Sequence, residues 1–284
     1  MSGTRIIFDT SGINSLEDGG SASELLMRGL ESGFEVTVTG ISVEEIIANK
    51  NAARRGALLS RVRRLLCSGK CVWPPHEIIR LLISTHFDSP AGFDWKKVDV
   101  RARDYEVAIA RGDFDDSLCV EQRQHQFTVQ KGFEKMWKDL RPHLDAIIAA
   151  NPSLRPTSFH DAVEIAAREG GVLWTIGQGL YGRVAGSEPN QAEIKRFMDI
   201  CPPFRAVCYG LVMAWYNGSL RAHDGVPVAG RNDLMAATYV PYCDGFITDD
   251  WAQRRNLREV CKEADIPCEI LSVTKFDLTL AVGM

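Results

Sequence analysis

The chain has 284 residues, 45% hydrophobic and 25% charged, which excludes collagen-like, disulfide-scaffold and strongly disordered proteins and suffices for a real core. Its 33 basic and 37 acidic side chains leave a net charge of -4, so nucleic-acid binding by bulk charge is excluded and any such binding needs a local patch. No apolar run approaches the roughly 18 residues of a membrane span, and residues 1–5 lack the apolar region of a signal peptide, so a cytoplasmic location and no membrane partner are expected.

Residues 5–8 form a short apolar run that ends in Asp9 and reads as a buried strand, with Thr10, Ser11 and Gly12 predicting a turn. Ser21 and Glu24 have capping-box spacing ahead of Leu25, Leu26, Met27 and Leu30, a helical pattern that stops near Gly33. Val36, Thr37, Val38 and Thr39 make residues 35–39 the second strand. Ser42 and Glu45 repeat the capping-box spacing and open a helix through Ile46 and Ile47. Strand, helix, strand, helix in short order predicts a parallel α/β sheet.

From residue 76 to 204 the pattern turns mainly helical, over 133–150 and 159–169, broken by Pro152, Pro156 and a glycine-rich stretch at 170–186. This region reads as an insertion between two halves of a core, residues 1–75 and 205–284. Gly177, Gly179 and Gly182 spell G-x-G-x-x-G after an apolar run, but Gly186 and Pro189 interrupt the helix that a dinucleotide-binding turn requires, so a glycine-rich loop is expected. His160 and Asp161 read as a helix start, and Leu211 to Trp215 as core. Past residue 205 the strand–helix logic returns. Asp233 opens a helix over 234–240, 245–248 is a strand, 252–264 is helical and 268–273 is a strand. The eight cysteines include no C-x-x-C pair and read as buried free thiols.

Asp9, Glu45, Asp233 and the pair Asp249 and Asp250 each follow a strand or open a helix. In a doubly wound sheet such positions converge on the rim at the carboxyl ends of the strands. Carboxylates about 4 Å apart repel by about 4 kcal/mol per pair at an effective dielectric of 20, so a cluster of them calls for cations. Magnesium or manganese held by two or three carboxylates and water is the natural complement, and suits hydrolysis of phosphodiesters.

The segments carrying these acids are Phe8-Asp9-Thr10-Ser11, Ile41-Ser42-Val43-Glu44-Glu45-Ile46, Asn232-Asp233-Leu234-Met235-Ala236-Ala237 and Phe246-Ile247-Thr248-Asp249-Asp250. In that order they resemble the PIN-domain ribonucleases, over residues 1–75 and 205–284. The resemblance implies a three-layer α/β/α fold with a central parallel sheet, interrupted here by the helical insertion. It implies a metal-dependent endoribonuclease using Mg2+ or Mn2+ at a quartet of Asp9, Glu45, Asp233 and Asp250. Asp249 is the alternative last ligand, and Glu45 is preferred to Glu44 because an aliphatic residue follows it. Ser11 and Thr248 would be hydroxyls orienting carboxylates, and Asn14 a further helper. Partners implied are RNA, single-stranded, and a protein inhibitor or a second copy of the chain. A non-catalytic PIN-like interaction or RNA-binding protein and a related DNA nuclease stand as alternatives. Compact toxin members of the family lack the long insertion, which weakens a toxin reading.

Each acid also fits a local role, Glu45 in a capping box with Ser42, Asp233 and Asp250 at helix starts, and Asp9 in a post-strand turn. Between Lys50 and Lys70 stand seven basic side chains and no acid. Arg54, Arg61 and Arg64 could contact phosphates along one face of an amphipathic helix, or that face could simply be solvated. Arg254, near Trp251, is a further phosphate candidate beside Asp250.

Overall fold

The computed structural model describes residues 4–67, 69–112, 114–152, 155–218 and 230–276. The first part runs β1 (Thr4–Phe8), α1 (Thr10–Asp18), α2 (Gly20–Gly33), β2 (Phe34–Thr39), α3 (Gly40–Ile47), α4 (Ala52–Cys67) and β3 (Lys70–Val72). Among the described residues α-helices follow, α5 (Pro75–Asp88), α6 (Arg103–Arg111), α7 (Asp116–Ala150), α8 (Phe159–Ala166), α9 (Val172–Ala185), α10 (Gln191–Ile200) and α11 (Pro202–Tyr216), with 3₁₀ turns at Pro90–Gly92 and Trp95–Lys97. The chain closes with α12 (Arg231–Met235), a 3₁₀ segment (Ala236–Tyr242), β4 (Gly245–Ile247), α13 (Trp251–Glu263) and β5 (Glu269–Leu271).

The five strands form one all-parallel sheet in the order β3-β2-β1-β4-β5. Period-two alternation sends successive side chains to opposite faces. Ile7, Val72, Phe246 and Ile270 join one apolar cluster with residues of α5, α8, α9, α10, α11 and α13. Ile6, Phe8, Val36, Val38, Cys71, Ile247 and Leu271 join the other, with α1, α2, α3 and α4. Helices therefore cover both faces, which is why the central strands β1 and β4 carry the apolar runs Ile6-Ile7-Phe8 and Phe246-Ile247. The helical middle region shares the first of these clusters with the sheet. Among the described residues no single helix is long and apolar enough to cross a membrane.

The sheet starts at its centre. From β1 the chain moves outward to β2 and β3, then returns to lay β4 on the other side of β1. A crevice forms at such a reversal, outside the carboxyl ends of the strands. Asp9 follows β1 and Thr248 follows β4 at that point, and Asp9 N–H donates to Ile247 O at 3.1 Å.

Several local expectations are corrected. Thr10 to Gly12 are the first turn of α1, not a loop, because the Asp9 carboxylate caps that helix. Gly12 suits this close approach, since a Cβ there would stand 2.9 Å from Ile247 O. The helix α2 begins after Gly19 with no side-chain cap, and Glu24 is turned to α4. Thr39, not Ser42, caps α3, with its hydroxyl accepting from Ser42 N–H at 3.1 Å. The stretch expected as a glycine-rich loop is the helix α9. Gly177 there faces α10 so closely that a Cβ would meet Ile194 Cγ2 at 2.5 Å. Gly177 thus serves helix packing, and the continuous helix through Gly179 and Gly182 also removes the dinucleotide-turn reading. The short strand β3 was not expected, and α12 starts two residues before Asp233 and passes into 3₁₀ geometry at Ala236. Ser158 and Asp161 form a capping box that starts α8, and Val212, Met213 and Trp215 are core, both as expected.

Candidate functional site

At the crevice Asp9, Glu45 and Asp233 line one small hollow of about 30 Å³, together with Thr10, Asn232 and Gln253. That is room for one or two water-sized occupants, since a single water needs roughly 10–15 Å³ by this measure. Three segments far apart in the chain supply the acids, from the end of β1, the middle of α3 and the start of α12.

Asp9 is the most buried of them. Its Oδ1 accepts from Gly12 N–H at 2.7 Å, and Ser11 Oγ lies 3.0 and 3.1 Å from the two carboxylate oxygens. Burial nevertheless dominates and pushes the Asp9 carboxyl up to about 7, with the Glu45 charge adding to the rise. Asp233 is pushed up to about 6, again first by burial and then by the charges of Asp250 and Glu45, while its Oδ2 accepts from Gly230 N–H at 2.8 Å. Glu45 is thus the common neighbour of the other two acids. Its own carboxylate is bridged, with Oε1 accepting from Asn232 Nδ2 at 2.7 Å and Oε2 accepting from the Thr10 hydroxyl. Glu44 turns outward to Tyr105, whose hydroxyl donates to it at 3.0 Å.

The pair after β4 divides. Asp250 caps α13 through Gln253 N–H at 2.7 Å, and its charge reaches Asp233. Asp249 Oδ1 instead accepts from Val273 N–H at 3.0 Å, across the loop that follows β5. Ser11 ties the two acidic loops together. It accepts from Asp249 N–H at 2.8 Å and Asp250 N–H at 3.0 Å, so both its lone pairs are taken and its proton is left for the Asp9 carboxylate or for Thr248 Oγ1 at 3.0 Å. Thr248 Oγ1 donates to Gln253 Oε1 at 2.6 Å. Ser11 thus lies against the Asp9 carboxylate, while Thr248 spends its proton on the Gln253 amide.

Capping and convergence prove compatible. Asp9 and Asp250 cap their helices and Asp233 returns to a backbone N–H in the first turn of α12, yet each points into or beside the same crevice. Glu45 caps nothing. Among the described residues, no group of three or more His, Cys, Asp or Glu side chains has the spacing to hold one metal ion. The carboxylates are held apart by protein donors, namely Thr10 and Asn232 on Glu45, Gly12 and Ser11 on Asp9, and Gly230 on Asp233. This spacing leaves at most two carboxylates for direct ligation of one ion, whose remaining waters would have to lie outside the small hollow.

The arginines of α4 are engaged within the chain. Arg54 pairs with Asp18 at 2.6 Å and Asn14 Oδ1 at 2.8 Å, Arg61 with Glu17 and Glu24 at 3.1 and 2.5 Å, and Arg64 with Glu24 at 2.6 Å. The Arg64 and Arg61 guanidinium groups hold the Glu24 carboxyl down at about 2. Arg254 donates to Thr248 O at 3.0 Å, and Trp251 is 55% exposed with Arg255 stacked 4.7 Å over its ring.

Sequence reasoning gave no role to Thr10, Asn232 or Gln253. The first two adjoin proposed acids, and their polar side chains at the start of a helix were the available signal. Comparison with family models, with curated proteins and with solved structures finds no match to this chain. What the fold itself establishes is an α/β protein with a central five-stranded all-parallel sheet and a helical middle region.

Proposed function

We propose that the protein is a PIN-like, three-layer α/β/α endoribonuclease that hydrolyses RNA phosphodiester bonds at the acid hollow with Mg2+ or Mn2+. The observation that carries this reading is the meeting of Asp9, Glu45 and Asp233, from distant segments, in one hollow at the topological switch point of a parallel sheet. Burial raises Asp9 and Asp233 toward neutrality, so each carboxylate would gain from an opposing charge. One or two of Asp9, Glu45 and Asp233 would ligate the ion directly and the remainder would act through its waters, with Asp250 adding negative charge from the exposed side. Held there, Mg2+ or Mn2+ would supply an activated water and positive charge to offset the negative charge developing on a phosphoryl oxygen. The chain's own contribution is orientation. Ser11 and Gly12 fix Asp9, Asn232 and Thr10 fix Glu45, and the half-buried hollow limits competing water.

A non-catalytic PIN-like binding protein is the second reading, supported by the wide spacing of the acids and by the internal pairing of the α4 arginines. Labelled single-stranded RNA and DNA incubated with Mg2+, Mn2+ or a chelator separate these. The nuclease reading expects metal-dependent cleavage of RNA by the parent and its loss in Asp9→Asn and Asp233→Asn. RNA left intact by folded parent protein overturns it, and preferential cleavage of DNA transfers the site to a DNA nuclease.

A further inference from the structure

Beside the acid hollow opens a second cavity of about 280 Å³, walled by α3, the start of α5, α7 and α12. Ile41 and Asn232 line both spaces. Asn232 joins them chemically as well, since its Nδ2 donates to Glu45 and its Oδ1 lies 3.4 Å from Arg231 Nη1.

Arg231 is the unusual group in this cavity. It is half-buried on the cavity wall. Among the described residues it makes no ion pair with a carboxylate, and that long contact to Asn232 is the only hydrogen bond of its side chain. Arg54, Arg61 and Arg64, by contrast, all close ion pairs inside the chain. A desolvated cation without a contacting anion is unfavourable unless a ligand completes it.

The surroundings are predominantly receptive to an anion. His76 and His125 line the same cavity, and burial, aided by the charges of Arg231 and Arg80, pulls the His76 imidazole below its ordinary value, so it faces an anion as a neutral N–H donor. Pro74 and Pro75 bring the N-terminus of the 14-residue α5 to the wall, where the helix dipole favours negative charge. Two acids oppose this. Glu77 Oε1 lies 3.8 Å from His76 Nε2 but also pairs with Arg80, and Glu44 attracts Arg231 through space while accepting from Tyr105.

We propose that this cavity is a phosphate subsite for single-stranded RNA, in which Arg231, flanked by His76 and His125, holds an internal phosphate adjacent to the one presented to Asp9, Glu45 and Asp233. The subsite rests on the nuclease reading of the acid hollow, and deepens it by giving the strand a direction across the crevice from α12 toward α5 and α7. Arginine suits the role because its planar fork matches phosphate oxygens.

The test is binding of a short 3′-labelled single-stranded RNA, measured by fluorescence anisotropy in chelator over a series of salt concentrations. Arg231→Gln should weaken binding about tenfold and reduce the salt slope by about one, the signature of one lost phosphate contact. Arg231→Lys should keep most of the slope. His125→Glu, exposed on α7, should weaken binding with an unchanged thermal midpoint, which keeps the result independent of any folding defect at Arg231. The proposal is overturned if the parent does not bind RNA, or if Arg231→Gln and His125→Glu bind like the parent with the same slope. RNAs with a 5′-phosphate and a 5′-hydroxyl should depend on Arg231 equally, and dependence confined to the 5′-phosphorylated form overturns the internal assignment. Asp9→Asn, which should bind at least as well as the parent but not cleave with Mg2+, isolates the acid hollow. If it loses cleavage while Arg231→Gln binds normally, the subsite falls and the nuclease reading stands. If it cleaves like the parent, the nuclease reading falls whatever Arg231 does.

Discussion

Asn232 donates its amide N–H to Glu45 Oε1 across 2.7 Å and so joins two side chains 187 residues apart in the chain. The bond ties α12 to α3 at the rim of the sheet, and with Thr10 on the other oxygen it sets where the Glu45 carboxylate stands. Replacing Asn232 by Ala removes a donor from a half-buried carboxylate, a change expected to cost about 1 kcal/mol. Chemical denaturation of Asn232→Ala should show that loss, and an unchanged midpoint would mean that the bond adds no net stability.

Asp9 makes stability depend on pH in an unusual direction. Its carboxyl lies near 7 in the folded protein against an ordinary value of 3.8, so between those values the folded state holds a proton that the unfolded chain has released. Stability from this group is therefore present at low pH and falls as pH rises from about 4 to 7. The full effect is on the order of 4 kcal/mol at most. Without divalent ions, the thermal midpoint of the parent should be higher near pH 5 than near pH 7.5, and Asp9→Asn should flatten that slope. A parent whose midpoint rises over that interval by as much as the variant's would remove Asp9 from the account.

Added Mg2+ or Mn2+ should act in the opposite sense. Binding to the folded state alone raises stability by mass action, and here it also relieves repulsion among ionised acids. Differential scanning fluorimetry should show a larger upward shift for the parent than for Asp9→Asn, and a larger shift near pH 7.5 than near pH 5. Equal shifts in both proteins would place any bound ion elsewhere.

Two glycines of α9 should respond oppositely to alanine. A Cβ at Gly179 meets nothing within 4 Å, so Gly179→Ala should stabilise the helix by about 0.5–1 kcal/mol. A Cβ at Gly177 would press on Ile194 and Met198, so Gly177→Ala should destabilise, by roughly 1–3 kcal/mol if the neighbours hold their places. Urea denaturation of the two variants distinguishes packed helix from loop, because a loop would not separate them.

Glu24 binds α2 to both Arg61 and Arg64 of α4. Glu24→Gln should lower the thermal midpoint at low ionic strength, by an amount that shrinks as salt screens the pairs. A midpoint indifferent to both changes would show these ion pairs to be structurally idle.

The sequence by itself determined the parallel α/β class and the positions of its main elements, because strands buried on two faces need apolar runs such as Ile6, Ile7 and Phe8 whatever surrounds them. It also placed Asp9 and Asp250 at element boundaries, where chain direction points them toward one rim, whereas Glu45 and Asp233 reach that rim from within α3 and α12. Local patterns misled where distant partners decide. Ser42 and Glu45 have the spacing of a capping box, yet Glu45 is held instead by Asn232 and Thr10, 187 and 35 residues away. The basic run of α4 reads as a phosphate face until the acids of α1 and α2 fold against it. The glycines of α9 read as a loop until α10 packs on Gly177. Tertiary structure alone decided these matters, since a hydrogen bond, an ion pair or a van der Waals contact depends on distance in space, and separations of tens to hundreds of residues leave no local pattern.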